Sequence, residues 1–554
     1  MDNFYIADQF SLLSKLMDIH GENSFKSKSY SVAAFNIEKL PVQLSDIPRE
    51  KIFTMKGIGD SVGKKVIEIL DNGNLKTLEE YVLKTPQGVL EMMSIKGLGP
   101  KKIATIWKEM EIESLGELLY ACNENRLARF KGFGEKTQQS IQDSINFYMK
   151  SQGSHLYATV ESYAWELHKV LKKKFSDYQL EVTGQFRRQS EIIEKIEWVT
   201  TAPLEELQNF FGKNDFTEED IQANSASFKG PENVMLQFYI APKELFYAHL
   251  FDTSCSEEFL DEWNKSVSKP AVPFENEEAI FTSAKLNYIP PFLREKTAVI
   301  AKAKKNSFAS VIQPGDIKAI IHSHSNWSDG SDTIENMAKA CIEKGYEYLV
   351  ISDHSKSAFY ANGLSEERIL EQHLYIDELN KKLKPFKVFK SIESDILNDG
   401  SLDYSDKILE RFDLVIASVH SNLKMTEEKA NTRLLNAISN PYTTILGHMT
   451  TRLLLSRPGF PVDYYKIIDA CKQNNVVIEL NANPRRLDMD WRFIDYAIDK
   501  GVMISIDPDA HAITEFNVCK YGVFMAQKAG VTKESNLSSY SLKEFEQFLE
   551  RRNL

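Results

Sequence analysis

Seven of the eleven histidines fall between His322 and His511, and all of these but His373 sit at the ends of short apolar runs. IKAII leads into His322 and His324, with Asp329 close behind in HSHSNWSDG. YEYLVIS leads into Asp353 and His354, FKVFKSI into Glu393, FDLVIASV into His420 and TTILG into His448. VVIEL leads into Asn481, and VMISI into Asp507, Asp509 and His511. Imidazole and carboxylate together suit Zn²⁺, Mn²⁺ or Fe²⁺ better than Mg²⁺, which prefers oxygen. Ions of that kind activate water near neutral pH. Any one of these residues could be an ordinary strand-end polar group. A whole series so placed is what a shared hydrolytic centre needs and a stable core does not.

Something must bring together residues almost 190 positions apart. The apolar runs alternate with helix-like segments (TIENMAKACIEKG, VDYYKIIDACKQNN, WRFIDYAIDKG), and strand–helix alternation predicts a parallel sheet. Seven repeats predict closure into a distorted (β/α)7 barrel over 316–554, with the strand C-termini meeting at one face. The text HSHS…SDG…DHS…IESD…SVHS…LGH…DAH, with DHSKS, NGLSEERI, LNDGSLDY, TRLL and NANPRRLD, resembles the PHP (polymerase and histidinol phosphatase) family of metal-dependent phosphoesterases. The resemblance implies two or three divalent ions (Zn, Mn or Fe) and nine ligands: His322, His324, Asp329, His354, Glu393, His420, His448, Asp509 and His511. His322, His324, Glu393 and Asp509 are expected to form one site, with Glu393 bridging to the others. Arg452 and Lys356, both next to ligands, are candidates to clamp the phosphate. For Arg452 the alternative is a structural salt bridge.

A second pattern lies in the first 140 residues. Lys56-Gly57-Ile58-Gly59, Lys96-Gly97-Leu98-Gly99 and Lys131-Gly132-Phe133-Gly134 each separate two helix-like segments. Glycines at this spacing permit a tight turn and close backbone approach, and the following helix N-terminus suits a phosphate oxygen. A single copy could merely end one helix and start another. Three copies point to a sequence-independent grip on DNA by helix-hairpin-helix modules. The contacts would come from Gly57, Gly59, Lys64, Lys65, Gly97, Gly99, Lys101, Lys102, Gly132, Gly134 and Lys136. The surrounding text resembles the lyase-type eight-kilodalton domain of family X DNA polymerases. That resemblance places Lys65 where some members form a Schiff base; otherwise Lys65 is one surface lysine beside Lys64.

Residues 151–305 mix helical and strand-like stretches. Gly184-Gln185-Phe186-Arg187-Arg188, then Ile196-Glu197-Trp198-Val199, and later YIPPFLRE, resemble the nucleotidyltransferase palm of the same polymerases. That family carries an Asp-x-Asp pair and a third Asp on a neighbouring strand, as two-metal phosphoryl transfer requires. Here Lys195 and Glu197 stand at the pair, Met235 at the third position and Gln185 at the usual Ser. The resemblance therefore implies a degenerate palm that has lost nucleotidyl transfer, with Arg187 and Arg188 holding DNA. The competing alignment makes Glu191, Glu194 and Glu197 ligands, although these three cannot share one face of a strand.

The 554 residues include 67 Lys and Arg against 79 Asp and Glu, a net charge of −12. Residues 1–150 are balanced, so the deficit falls on the remainder. This excludes a broadly basic nucleic-acid coat. Five scattered cysteines without a C-x-x-C argue against a disulfide framework. No apolar run approaches a membrane span, and MDNFYIADQF lacks the features of a signal peptide. The expectation is a soluble cytoplasmic monomer with three parts: an all-α helix-hairpin-helix region (1–150), an α+β palm (151–305) and the barrel (316–554). This order of parts resembles that of bacterial family X DNA polymerases with a C-terminal PHP domain. The implied activity is 3′–5′ exonuclease or 3′-end cleaning in DNA repair. The alternatives are an active polymerase, a small-molecule phosphatase of the histidinol-phosphatase kind, and a non-enzymatic DNA-end scaffold.

Overall fold

The three glycine motifs fold alike. In each, the first glycine (Gly57, Gly97, Gly132) takes a positive φ of 86°, 90° or 95°, a conformation that side chains with a Cβ rarely adopt. The apolar residue between the glycines (Ile58, Leu98, Phe133) is buried in the helical core. Its amide donates to the carbonyl three residues back: Met55, Ile95 and Phe130, each at 3.1 Å. The second glycine (Gly59, Gly99, Gly134) precedes the helices Asp60–Asn72, Pro100–Lys108 and Glu135–Ser151. These belong to the first of two units, residues 1–152 and 153–554, in this computed structural model. Residues 2–55, 57–123, 127–151, 153–230, 234–267, 273–305, 307–455 and 458–552 are described; Lys56 of the first motif lies outside them.

The second unit contains two main sheets. Five strands form the smaller one: β1 (Leu180–Thr183), β2 (Lys195–Thr200), β3 (Thr217–Gln222), β4 (Ser225–Lys229) and β5 (Met235–Ile240). Their order is β1-β2-β5-β4-β3, with only β2 and β5 parallel. Trp198 stacks on Phe238 at 5.0 Å and Phe211 on Phe228 at 4.4 Å to fill its core. This is the mixed α/β middle expected from sequence.

The larger sheet is β6 (Ala319–Ile320), β7 (Tyr348–Ile351), β8 (Lys387–Asp395), β9 (Leu414–Ser418), β10 (Thr443–Leu446), β11 (Val477–Asn481) and β12 (Ile504–Asp507). All seven are parallel and paired in chain order. A bridge from Ser323 to Ala510, with the His324 amide donating to the Ala510 carbonyl at 2.8 Å, brings the two ends together. The barrel is thus nearly closed, and its strands are apolar because both faces are covered. Thr333, Ser365, Thr426 and Asp463 cap four of the surrounding helices, each side chain accepting from the backbone N–H three residues on. Each such cap stabilises its helix by about 1 kcal/mol. The C-terminal helix Leu542–Arg552 packs Phe545 and Leu549 against Ala319, Tyr348, Leu414 and Val477. These four open their strands, so the helix seals the end of the barrel opposite the strand C-termini.

Candidate metal centre at the barrel rim

Parallel strands in one barrel deliver their C-terminal residues to one rim, and all nine residues singled out in the sequence meet there. Glu393 is at the middle, almost wholly buried. Its Oε1 lies 3.3 Å from His322 Nε2, 3.1 Å from His420 Nε2 and 3.0 Å from His448 Nε2. Its Oε2 lies 3.0 Å from His354 Nδ1 and 3.6 Å from His324 Nε2. Asp509 Oδ1 is 3.1 Å from His324 Nε2 and 3.5 Å from His322 Nε2. Asp329 Oδ1 is 3.7 Å from His354 Nε2 and 3.5 Å from His511 Nε2. His322 and Asp509 hold φ values of 49° and 52°, left-handed backbone that costs a non-glycine residue about 1–3 kcal/mol and persists where a site demands it.

Within this array three groups have donor atoms mutually within 4.8 Å: His322, His324 and Asp509; His354, Glu393 and His420; and His324, Asp329, His354 and His511. Glu393 groups with His354 and His420 rather than with His322, His324 and Asp509 as expected, and its two oxygens lie within 3.6 Å of imidazoles from all three groups. The donors fit divalent ions. His322 Nε2, His324 Nδ1, His448 Nδ1 and Glu393 Oε2 are buried without a hydrogen-bond partner, a state that buried polar atoms avoid unless another partner is intended.

Electrostatics points the same way. Burial disfavours charge on Glu393, yet His420, His322 and His354 outweigh it and hold the carboxyl well below its usual range. Asp509 is likewise held well below by His322 and His324 against burial. Burial also opposes charge on His322 and His420. Glu479, Asp509 and Glu393 raise the first well above the ordinary value, and Glu393 and Asp395 raise the second to about 10. His324 is pushed well below, by burial and then by His354 and His511. The two carboxyls favour their charged form beside His322 and His420, which favour a proton, and His324, which does not; divalent ions compete with protons for such donors.

Two carboxylates were not picked out from the sequence. Glu479 Oε1 accepts from His322 Nδ1 at 2.5 Å, and its Oε2 accepts the His448 amide at 2.5 Å. Asp395 accepts from His420 Nδ1. A carboxylate on Nδ1 fixes the tautomer and leaves Nε2 as the electron-pair donor. Signals for both existed: Asp395 lies two residues after Glu393 on one face of β8, and Glu479 is an acid inside the apolar run VVIEL. Conversely, three strand-end residues do not join the array. Asp353 accepts from the Ser325 amide and hydroxyl, Ser328 and Gln372, and so holds the first rim loop. Asn481 donates to Asp509 at 3.1 Å, and Asp507 accepts from Ser505 and Ser538.

The two clamp candidates differ in placement. The Arg452 guanidinium donates to the carbonyls of Arg486 and Leu487 and pairs with Asp490 at 3.0 Å. It is the structural salt bridge, because the segment it holds consumes its donors. Lys356 lies over the Tyr404 ring, half-exposed, with Nζ 3.9 Å from Glu366. Arg486, from NANPRRLD, was not among the candidates. Its Nε is 3.8 Å from Asp509 Oδ2, and its Nη1 is buried without a hydrogen-bond partner.

In the five-stranded sheet, register places Lys195 opposite Met235 and Glu197 opposite Gln237. Lys195 Nζ is 3.4 Å from Glu197 Oε1, and Tyr239 donates to the same oxygen at 2.9 Å. The Gln185 amide donates to Oε2 at 3.1 Å. Glu191 instead pairs with Arg492 at 3.3 Å, and Glu194 is exposed. Glu191, Glu194 and Glu197 therefore do not gather as the competing alignment requires. Nor are Arg187 and Arg188 available to DNA as expected. Arg187 pairs with Glu277 at 2.8 Å and Arg188 with Glu295 at 3.2 Å, both inside the unit.

In the first unit, Lys64, Lys101 and Lys136 are exposed beside the hairpin turns. Lys102 donates back to the Gly97 carbonyl at 3.0 Å, and Lys65 donates to Thr77 at 2.8 Å. Around Gly59, Gly97, Gly99, Gly132 and Gly134 a Cβ would meet nothing within 4 Å. Packing therefore does not explain these glycines; at Gly97 and Gly132 the positive φ does.

Family models match residues 1–75 as a helix-hairpin-helix domain, 89–146 as a SAM-like helix-hairpin-helix tandem and 321–483 as a PHP domain. The DNA polymerase/3′-5′ exonuclease PolX of Bacillus subtilis (strain 168) is 31% identical over 97% of both chains. The chain belongs to the bacterial PolX family. Shorter stretches of the chain resemble proteins of another description. A probable phosphatase of Thermoanaerobacter sp. (strain X514) is 27% identical over 37% of this chain and 84% of its own. One of Acetivibrio thermocellus is 30% identical over 27% and 58%. The alignment with the PolX relative extends over nearly the whole of this chain, the hairpin and PHP matches among it. No helix among the described residues is long and apolar enough to cross a membrane.

Proposed function

We propose that this PolX-family chain is a metal-dependent 3′–5′ exonuclease or 3′-end-cleaning enzyme acting in DNA repair as a cytoplasmic monomer. In this reading it has three functional parts: hairpins over 1–150, a retained palm over 151–305 and the hydrolytic barrel over 316–554. The observation that carries it is the meeting of nine imidazoles and carboxylates at one rim, five of the imidazoles around Glu393.

Two or three ions of Zn, Mn or Fe, held by His322, His324, Asp329, His354, Glu393, His420, His448, Asp509 and His511, would supply an activated water and neutralise phosphate charge. The chain's own residues do the rest. Glu479 and Asp395 keep His322 and His420 in the tautomer that offers Nε2. Arg486, rather than Arg452, meets the phosphate as charge develops, with Lys356 swinging toward it from Tyr404 and Glu366. The exposed hairpin lysines and open glycines take the DNA backbone without reading sequence. In the palm, the Lys195 ammonium already neutralises Glu197, and Met235 offers no oxygen. Nucleotidyl transfer is accordingly lost.

The test is hydrolysis of 3′-labelled DNA by the full chain with Mn²⁺, Zn²⁺ or Fe²⁺. Loss of label with wild type and retention with Glu393→Gln are expected. A folded, metal-loaded wild type that leaves the label intact with every ion overturns the proposal. The similarity to probable phosphatases favours a second reading, a small-molecule phosphatase. Turnover of a free phosphomonoester far faster than DNA would establish it. Primer extension by a His322→Ala, His324→Ala variant would restore the polymerase.

A further inference from the structure

The segment leaving the centre after His354 runs Ser355-Lys356-Ser357-Ala358-Phe359-Tyr360-Ala361-Asn362-Gly363-Leu364. It is tied down at both ends. His354 bridges to Glu393, the Ser355 amide donates to the Glu393 carbonyl at 3.1 Å, and Ser355 bridges to Leu364. Ser357 Oγ donates to Asp395 Oδ2 at 2.6 Å, and the other oxygen of Asp395 holds His420. The Lys356 amide donates to Tyr404 and the Ser357 amide to Asp403. At Gly363 a Cβ would lie 1.8 Å from the Ser355 carbonyl oxygen, so the loop closes tightly on itself. Ala358, Ala361 and Leu364 are buried, yet Phe359 at the tip is 88% exposed. No other large apolar side chain described in residues 153–554 is exposed to that extent.

A rigid loop that spends every anchor next to a phosphoesterase centre and leaves one phenyl ring in water needs a partner for that ring. Apolar residues scattered singly on a surface are ordinary; this one is set on a braced rim three residues along the chain from Lys356, half-exposed over Tyr404. Ring plus cation is how proteins hold single-stranded nucleic acid: bases stack on the aromatic face while the cation follows the backbone. A small phosphomonoester without a base would have no use for the ring. We infer that Phe359 stacks on the terminal nucleobase of a DNA 3′ end as its phosphate enters the centre, and so selects nucleic-acid ends over small phosphate esters. The inference rests on the exonuclease reading and names a specificity residue within it.

The test uses the full Mn²⁺-loaded chain and two single-stranded oligonucleotides that differ only in whether the 3′-terminal sugar carries a base. Phe359→Ala lowers kcat/KM on the base-bearing end about ten-fold, the effect of one base–aromatic stack, and Phe359→Trp retains it. On the abasic end Phe359→Ala and wild type differ by less than about two-fold, because the stack is absent from both. A second readout does not need turnover: 2-aminopurine at the 3′ terminus is quenched on binding to wild type and to Phe359→Trp, and not on binding to Phe359→Ala. Equal rates for Phe359→Ala and wild type on the base-bearing end, or equal losses on both ends, overturn the stacking role. A wild type that attacks neither end overturns the exonuclease reading and this inference with it.

Discussion

Glu479→Gln probes the logic of the centre without touching a ligand. One carboxylate serves two partners, accepting from His322 Nδ1 and from the His448 amide, each at 2.5 Å. An amide of the same shape has one accepting end. If its carbonyl keeps the backbone amide, its NH₂ faces His322 and forces Nδ1 to accept. The ring proton then moves to Nε2, the atom 3.3 Å from Glu393 and 3.5 Å from Asp509, and no lone pair is left for an ion. Loss of such a support costs about 10- to 100-fold in metal affinity or activity, or roughly 1.4–2.8 kcal/mol. The fold should tolerate the change. Burial and then the Glu479 charge push the Asp507 carboxyl up to about 7, and removing that charge relieves it. Calorimetric titration of metal-free protein with Mn²⁺ gives the affinity, and ¹⁵N-histidine NMR gives the tautomer. An unchanged His322 tautomer together with wild-type affinity would refute the reasoning.

Glu393→Gln, which removes the one carboxylate shared by five imidazoles, should lower the bound metal count measured by elemental analysis and abolish release of 3′ label. Chelation should lower the unfolding temperature, because ions bound only to the native state stabilise it by about 2.7 kcal/mol at a hundred-fold excess over Kd. Lys64→Ala, Lys101→Ala and Lys136→Ala should each reduce the salt dependence of duplex binding by about 0.9 in log–log slope, with no change in sequence preference. The Glu277 carboxyl is opposed by burial but held down to about 2 by Arg294 and Arg187. A depressed folded-state value contributes stability that is full above about pH 4.5 and lost as pH falls toward 2, a total of roughly 3 kcal/mol. Denaturant midpoints against pH should show this slope in wild type and not in Glu277→Gln.

The series of rim residues and the hairpins were legible because each has a repeating local rule. A polar residue at the end of every apolar run means one rim, whatever the sheet's details, and three copies of one glycine motif fold into three copies of one turn. In the middle part, the sequence showed which residues stand at the palm positions, and the register sets Lys195 opposite Met235. What the sequence left open was the role of the arginines. Arg187, Arg188 and Arg452 stand in suggestive positions along the chain, yet each is consumed by a carboxylate or carbonyl from a remote segment: Glu277, Glu295 and Asp490. A long side chain reaches whichever partner the fold brings near, so sequence neighbours say little about its role.

By itself, then, the sequence determined which strands end in donors, because side-chain type and strand order are local. Only the tertiary structure decided that Glu393 lies at the centre, that Glu479 and Asp395 orient imidazoles from other strands, and that Arg486 rather than Arg452 faces Asp509. These are distances across a barrel rather than along a chain. They depend on how the strands tilt and pair around the rim, which a period of apolar residues does not encode.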